Sequence, residues 1–336
     1  MPNQWMEGWG TYEAIATATA LVGSGWVVLS AGSGSPSIFR DAAGSWFRVS
    51  ATQHRYGRAI IDDDIYCVGH RVYIEGALGA GNINIGPGLI GAVSTLSIGL
   101  SALAQPVLNR GGVAIYTAPD SLSFGVANYL DFVYNRALGT CDFYLNNTLL
   151  TTVAGIVSIG AINSLYVGSR SGFASPAGLV RISDLYWNSG NERWGDMSVV
   201  RLPPDADVAG GGWTVTGAAT GSAALDNVPG LTTEYIEADV VGDISEYEIP
   251  SLPPGVFQIH NVRHQYRAQK TTAGDSNVQG GLVVNGVDYL GADNVMLEGT
   301  YENYFDNYPV NPNTGVAWVP TDFDADKVQL RYERTL

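Results

Sequence analysis

Short runs of alternating apolar and polar residues, cut by Gly and Asn, recur along most of this chain. A period of two puts every second side chain on one face, so each run reads as a β-strand with one buried side. Asp131-Phe-Val-Tyr-Asn-Arg is such a run, and Cys141-Asp-Phe-Tyr-Leu-Asn-Asn-Thr-Leu-Leu reads as its antiparallel neighbour. Leu165-Tyr-Val-Gly-Ser and Leu179-Val-Arg-Ile-Ser-Asp-Leu-Tyr-Trp come next. The pattern predicts strands at residues 26–30, 46–51, 58–61, 67–75, 96–102, 113–116, 123–126, 129–135, 141–149, 165–168 and 179–187. Turn clusters such as Ala31-Gly-Ser-Gly-Ser-Pro, Asn109-Arg-Gly-Gly and Asn146-Asn separate them. Many short strands at near-even spacing indicate a jelly-roll or similar β-sandwich. A helix over residues 12–21 is weakened by Thr17 and Thr19.

The second half opens at Trp194-Gly-Asp, and Pro203-Pro and Gly210-Gly-Gly interrupt it soon after. Strand-like pieces recur at residues 213–216, 235–238, 258–269, 281–284 and 328–332. Within the third of these, Val262, His264, Tyr266 and Ala268 share one face, and Arg263, Gln265 and Arg267 share the other. This alternation predicts the central strand of a second, smaller β domain.

Charge divides the chain at the same place. Residues 1–190 hold 9 Arg, no Lys and 11 acids, a net of −2; residues 191–336 hold 8 basic and 21 acidic residues, a net of −13. The shift predicts a sandwich over 1–190 and an acidic β domain over 191–336. So acidic a chain excludes nucleic acid as a partner, because phosphates are bound by Lys and Arg. The longest uncharged segment spans residues 76–109, but its most apolar part, residues 89–104, is shorter than the ~20 residues of a membrane span. Leu96, Ile98 and Leu100 alternate there with Ser97 and Gly99, which reads as a strand and not as membrane insertion. The start Met-Pro-Asn-Gln-Trp-Met-Glu-Gly has neither the basic nor the apolar region of a signal peptide. Cys67 and Cys141 are the only cysteines, and two buried free thiols are expected in place of a disulfide framework.

Motifs of chemistry are scarce. No E-x-D-x-x-E pair of carboxylates, G-x-S-x-G elbow, H-E-x-x-H or P-loop occurs; Glu75 stands alone in a strand and Asp142 lies near a turn. His260 and His264 would face the same way on a strand, yet no third ligand is evident. Asp62, Asp63 and Asp64 are candidate calcium ligands, weighed against a polar turn before a strand. Asp322, Asp324, Asp326 and Glu333 fall at EF-hand positions, but Lys327 stands where that loop needs Gly. Aromatics crowd residues 301–309, so Tyr301, Tyr304 and Tyr308 are candidates for contact with a glycan or a partner subunit, on a loop pinned over the sheet by Tyr304 and Phe305.

Several stretches resemble one family. Met6-Glu-Gly-Trp-Gly-Thr-Tyr is similar to the opening of a set of tailed-bacteriophage virion proteins, and Tyr56-Gly-Arg-Ala-Ile-Ile and Val68-Gly-His-Arg-Val-Tyr-Ile resemble its early strands. Residues 131–148 look like the hairpin of concanavalin A-like and laminin-G-like sandwiches, with Asn147 where Gly is usual. Trp194-Gly-Asp-Met-Ser-Val-Val-Arg-Leu-Pro-Pro-Asp resembles the join between domains in those phage proteins. Val262-Arg-His-Gln-Tyr-Arg-Ala-Gln-Lys-Thr-Thr-Ala-Gly and Asn311-Pro-Asn-Thr-Gly-Val-Ala-Trp resemble two later signatures. The resemblance implies a concanavalin A-like sandwich followed by a second β domain. It also implies a non-enzymatic virion protein, made in the host bacterial cytoplasm, whose partners are other virion chains. A homo-oligomer is the default expectation for such a protein. A carbohydrate- or receptor-binding module, contacting a host surface glycan with or without calcium, is the alternative.

Overall fold

In the first half, alternation resolves into two antiparallel sheets packed face to face. The structure, a computed structural model, describes residues 4–7, 27–30, 37–41, 44–49, 55–60, 62–78, 83–168, 180–190, 193–208, 211–226, 233–271, 273–324 and 327–336. They fall into two compact units, Met1–Val199 and Val200–Leu336. The fold is all-β, a concanavalin A-like jelly-roll sandwich followed by a smaller β unit.

The larger sheet of the first unit runs in the order β13 (Thr148–Val153), β12 (Thr140–Leu145), β11 (Ala127–Asn135), β6 (Ile65–Ile74), β15 (Val180–Ser189), β4 (Gly44–Val49) and β3 (Ser37–Asp41), and β1 (Gln4–Glu7) also pairs with β15. The second runs β10 (Val113–Thr117), β9 (Pro106–Arg110), β8 (Thr95–Leu100), β7 (Ile83–Gly91), β14 (Ile162–Gly168), β5 (Arg55–Ala59) and β2 (Val27–Ser30). Period two decides which side chains meet. Val68, Val72 and Ile74 of β6 and Leu130 and Phe132 of β11 pack with Leu96, Ile98 and Leu100 of β8 and Leu165 and Val167 of β14 in one core.

One strand breaks the period, and the break re-aims an aromatic side chain. Along β15, Ile182 pairs with Val72 and Ser183 with Arg71, but the next pair is Tyr186 with Gly69. Asp184, at φ +47°, is the bulge residue. Val180 and Ile182 therefore face the core before it, Leu185 and Trp187 after it, and Tyr186 is turned to the outer face.

Residues 141–149, expected as one strand, are two. Asn146 (φ +47°) and Asn147 (φ +67°) form the tight turn between β12 and β13, the left-handed pair that a two-residue hairpin demands. Residues 123–126 are turn and not strand, and the uncharged segment holds β7, β8 and β9. Among the described residues no helix is long and apolar enough to cross a membrane. The helix expected over residues 12–21 lies outside the described residues.

The second unit is built on a sheet in the order β16 (Ala206–Asp207), β19 (Ile244–Glu248), β24 (Val328–Arg334), β21 (Asn277–Val284) and β22 (Val287–Val295). Two ribbons accompany it, β17 (Thr214–Thr216) with β18 (Tyr235–Glu237) and β20 (Val262–Ala268) with β23 (Glu302–Tyr308). A short helix, α1 (Gly221–Leu225), is capped by the Thr220 hydroxyl, which accepts from the Ala223 amide at 3.1 Å. The expected central strand, β20, pairs with β23 alone; the centre is β24. Alternation reports that a strand has one buried face, and says nothing about how many neighbours it has. Tyr247, Tyr266, Val278 and Tyr332 form one cluster of this unit, and Leu282, Val284, Trp318, Phe323 and Val328 another.

Candidate functional site

The predicted site residues lie in separate places. Asp62 and Asp64 are gripped by Arg136, whose Nη1 lies 2.6 Å from Asp62 Oδ1 and Nη2 2.9 Å from Asp64 Oδ1. Asp62 also accepts from the Ile162 amide at 2.8 Å and the Tyr66 hydroxyl at 2.9 Å. Burial raises its pKa, but these donors outweigh that and hold the carboxyl below its ordinary value. Asp63 caps the amide of Asp64 at 2.6 Å. The guanidinium thus sits between the carboxylates where a cation would.

The aromatic run 301–309, expected as a loop, is mostly strand β23. Tyr304 and Tyr308 face inward onto the unit's main sheet. The Tyr304 hydroxyl donates to Val295 O at 2.9 Å and the Tyr308 hydroxyl to Tyr289 O at 2.8 Å. Burial pushes Tyr304 up to about 12 and Tyr308 higher. Tyr301 lies under the exposed Arg267, whose Cζ is 4.6 Å from the ring centroid. Gln265, Asn303, and Arg263 over Phe305 at 4.4 Å share that face of the ribbon by register, but the Gln265 Nε2 and the Arg263 Nε and Nη2 are buried, and Arg267 is the exposed end of the row.

The histidines do not pair. His264 lies on the buried face of β20, with Nε2 3.2 Å from the Tyr332 hydroxyl, and burial pushes it down to about 3. His260 precedes the strand and takes no part in its alternation. Asp322 caps the Val319 amide at 2.9 Å, Asp324 pairs with Lys327 at 3.2 Å and Glu333 with Arg331 at 3.1 Å; Asp326 lies outside the described residues. Glu75 pairs with Arg181, and Asp142 accepts from Thr152 Oγ1 at 2.6 Å. No three His, Cys, Asp or Glu side chains converge as metal ligands among the described residues. Cys67 and Cys141 are buried and not joined in a disulfide, and the Cys67 thiol donates to Gly190 O at 3.3 Å.

A cluster that the sequence reading missed lies on the outer face of the larger sheet. Asp131 of β11 is 0% exposed and sits among Tyr129, Tyr144 of β12 and Tyr186 of β15. Gly69 of β6 lies beneath: a Cβ there would come within 2.7 Å of both Asp131 Cβ and the Tyr129 hydroxyl, so only glycine lets these groups cross the sheet. Residues 193–199 form a strap over this face. Arg193 reaches Asp131 with Nε at 2.5 Å and Nη2 at 3.2 Å and lies 4.0 Å over the Tyr144 ring. Trp194 stacks on Tyr186 with centroids 5.0 Å apart. Asn147 Oδ1 accepts from Arg193 and from the Asp196 amide, each at 2.9 Å. Gly195 (φ +71°) packs on Asn147, and its Cβ position is blocked. Arg71 Nε pairs with Asp184 at 3.0 Å, and its Nη2 meets Asp196 at 3.0 Å and Ser198 at 2.9 Å.

The electrostatics follow from burial. Desolvation drives Asp131 up to about 6 against the opposing pull of Arg193, and raises Asp184 against the Val199 amide and Arg71. The signal available in the sequence was a single acid, Asp131, between Leu130 and Phe132 in an otherwise apolar run.

No protein-family model matches the chain, and no curated protein matches it. Among solved structures, the alginate lyase vAL-1 from Chlorella virus is similar at 11% identity over 53% of this chain and 100% of that one, with a TM-score of 0.43. The cellulose induced protein Cip1 is similar at 15% identity over 51% and 93% of the two chains, with a TM-score of 0.39. The carbohydrate binding module CBM66 from Bacillus subtilis is similar at 11% identity over 49% and 96%, with a TM-score of 0.35. These are distant likenesses in β architecture and carry nothing about activity.

Proposed function

We propose that this chain is a non-catalytic contact protein that binds a carbohydrate through the outward face of the β20–β23 ribbon. The observation that carries the reading is the exposed Arg267 laid over Tyr301, with the Asn303 amide on the same face. A flat aromatic–guanidinium surface beside a side-chain amide suits the apolar face and hydroxyl rim of a sugar ring. The buried acids support contact over turnover: Asp131 and Asp184 are each committed to an arginine and sealed under the strap. The test is binding of the purified chain to a panel of bacterial surface polysaccharides, with and without calcium. Tyr301→Ala and Arg267→Ala should each weaken binding by about tenfold or more, roughly 1–2 kcal/mol. No binding by the intact chain, or binding indifferent to both changes, rules the ribbon out.

A second reading, a structural protein of a phage virion, is favoured by a different observation. Large apolar side chains stand exposed at both poles of the sandwich: Val93, Val113, Leu138 and Val157 at one, Leu103, Phe124 and Val126 at the other. Such side chains suit burial by neighbouring virion chains or further copies. Leu138→Glu should then abolish any oligomer seen by light scattering and leave polysaccharide binding intact.

A further inference from the structure

We infer that the strap of residues 193–199 is a reversible lid over the outer face of the larger sheet, clamped by acid and loosened when Asp131 ionises. The geometry supplies both halves of such a device. The closed strap puts Asp131 wholly out of water, beneath Arg193 and against the Tyr186 hydroxyl at 3.3 Å. Its second anchor is of the same kind: Asp184, buried on the bulge of β15, holds the Val199 amide at 2.9 Å and Arg71 Nε at 3.0 Å. The strap is therefore fastened at both ends to desolvated carboxyl groups.

Every element packed against Asp131 contributes its charges to the balance. Tyr129 stands beside it on β11, Tyr144 and Asp142 lie on β12, and Tyr186 and Asp184 on β15. Gly69, Arg71 and Cys67 come from β6, and Arg193 and Asp196 from the strap itself. Burial raises the Tyr129, Tyr144 and Tyr186 hydroxyls above their ordinary range, so they stay neutral throughout. Asp142 is occupied by Thr152. Burial raises the carboxyl groups of Asp131 and Asp184.

The direction of coupling runs against first intuition. Neutralising Asp131 removes an ion pair with Arg193, which suggests that acid would open the strap. Burial outweighs that pair: Asp131 has no exposed surface, Arg193 is the one cation on its carboxyl among the described residues and Asp196 adds a like charge, so the closed-state carboxyl is pushed up to about 6. The closed form thus binds the proton more tightly than an opened, hydrated one. Closure is fully favoured below the ordinary value and weakens as pH rises through 6.

The test is hydrogen exchange on the full chain, expressed as protection over the intrinsic rate at pH 5 and pH 8. With closed and open values of about 6 and 3.8, the strap amides of Asp196 and Val199 should lose at least about tenfold protection between those two conditions. The core amides of Leu130 and Phe132 should not follow. Asp131→Asn should remove about tenfold of that dependence, and adding Asp184→Asn the remainder. Trp194→Ala should lower strap protection at both pH values. Equal wild-type protection at the two pH values, core amides that fall together with the strap, or a dependence unchanged in Asp131→Asn would each overturn the inference.

Discussion

The two units solve the same problem with different materials. The sandwich core is drawn mostly from Val, Ile, Leu and Phe on facing sheets, with Tyr66, Tyr134 and Trp187 as its large polar-tipped members. The smaller unit is held by side chains that carry a polar atom inward. Ser245 Oγ donates to the Tyr247 hydroxyl at 2.5 Å, Asn294 to the Tyr266 hydroxyl at 2.9 Å and Trp318 Nε1 to Tyr308 O at 2.8 Å. A large sandwich buries enough apolar area for stability to follow area. A small domain has less to bury, and directed hydrogen bonds make up more of its specificity. The first core should tolerate exchange among similar volumes; the second should not.

The sharpest way to break this contrast is Trp318→Ala. Trp318 is buried, packs on Phe323 with centroids 5.2 Å apart, and closes the turn that Asn311 organises through its own carbonyl and side chain. Its loss should cost about 4 kcal/mol and abolish the thermal transition of the smaller unit. In the sandwich, Phe132→Leu should cost about 1 kcal/mol. Calorimetry on the full chain reads both. A Trp318→Ala protein with both transitions in place would remove the distinction between the two cores.

Acid gives the next largest effect, and here the two units behave alike. Among the described residues each hides one histidine: His70 faces the sandwich core and His264 lies on the buried face of β20. Burial pushes both down to about 3 from 6.5. Because the folded value is the lower, this stability is present above pH 6.5 and is lost as pH falls towards 3. At pH 5 the loss is about 2 kcal/mol per histidine. Asp131 in the sandwich and Asp306 in the smaller unit act in the opposite sense, since burial makes their folded values the higher, and partly offset the loss in each. His70→Leu should abolish the acid loss of the sandwich and leave that of the other unit. Denaturant melts at pH 7.5 and pH 5 decide it; an unchanged acid slope in His70→Leu would show that the core holds the charged ring without penalty.

Much of the architecture was legible because sheets print their period on the sequence. The strands around residues 67–75, 129–135 and 179–187 could be read since one face of each is buried against the opposing sheet. What could not be read was register and neighbours. Nothing in residues 179–187 marks Asp184 as a bulge, yet that one residue turns Tyr186 outward and builds the aromatic face. Likewise β20 alternates as cleanly as a central strand but has a single partner. Long-range pairs were invisible for the same reason: Asp131 and Arg193 meet only because the strap folds back over the sheet. Local chemistry fared better, as the Asn146-Asn147 turn shows. Two of the stretches that resemble phage signatures have a local folding role: the Trp194-Gly-Asp run is the strap, and Asn311 to Trp318 is a turn closed by a buried ring.

The smallest effect concerns the acidic triplet, where surface and core logic part most clearly. Arg136 bridges Asp62 and Asp64, but the three side chains are 21%, 43% and 65% exposed respectively, so water screens the pair. Arg136→Ala should therefore cost under about 1 kcal/mol, far less than a buried change in either unit. Asp62 is the exception inside the triplet, because it also accepts from the Ile162 amide and so ties the start of β6 to β14. Asp62→Ala should cost more than Arg136→Ala, about 1–2 kcal/mol, since it strands a backbone donor. Calcium sharpens the point. With the guanidinium in place, millimolar calcium should leave the melting temperature of the sandwich unchanged. In Arg136→Ala the freed carboxylates should bind it weakly and raise that temperature. A clear calcium-dependent rise in the intact chain would mean that the arginine yields its place to a metal, and the triplet would then stand as a site in its own right.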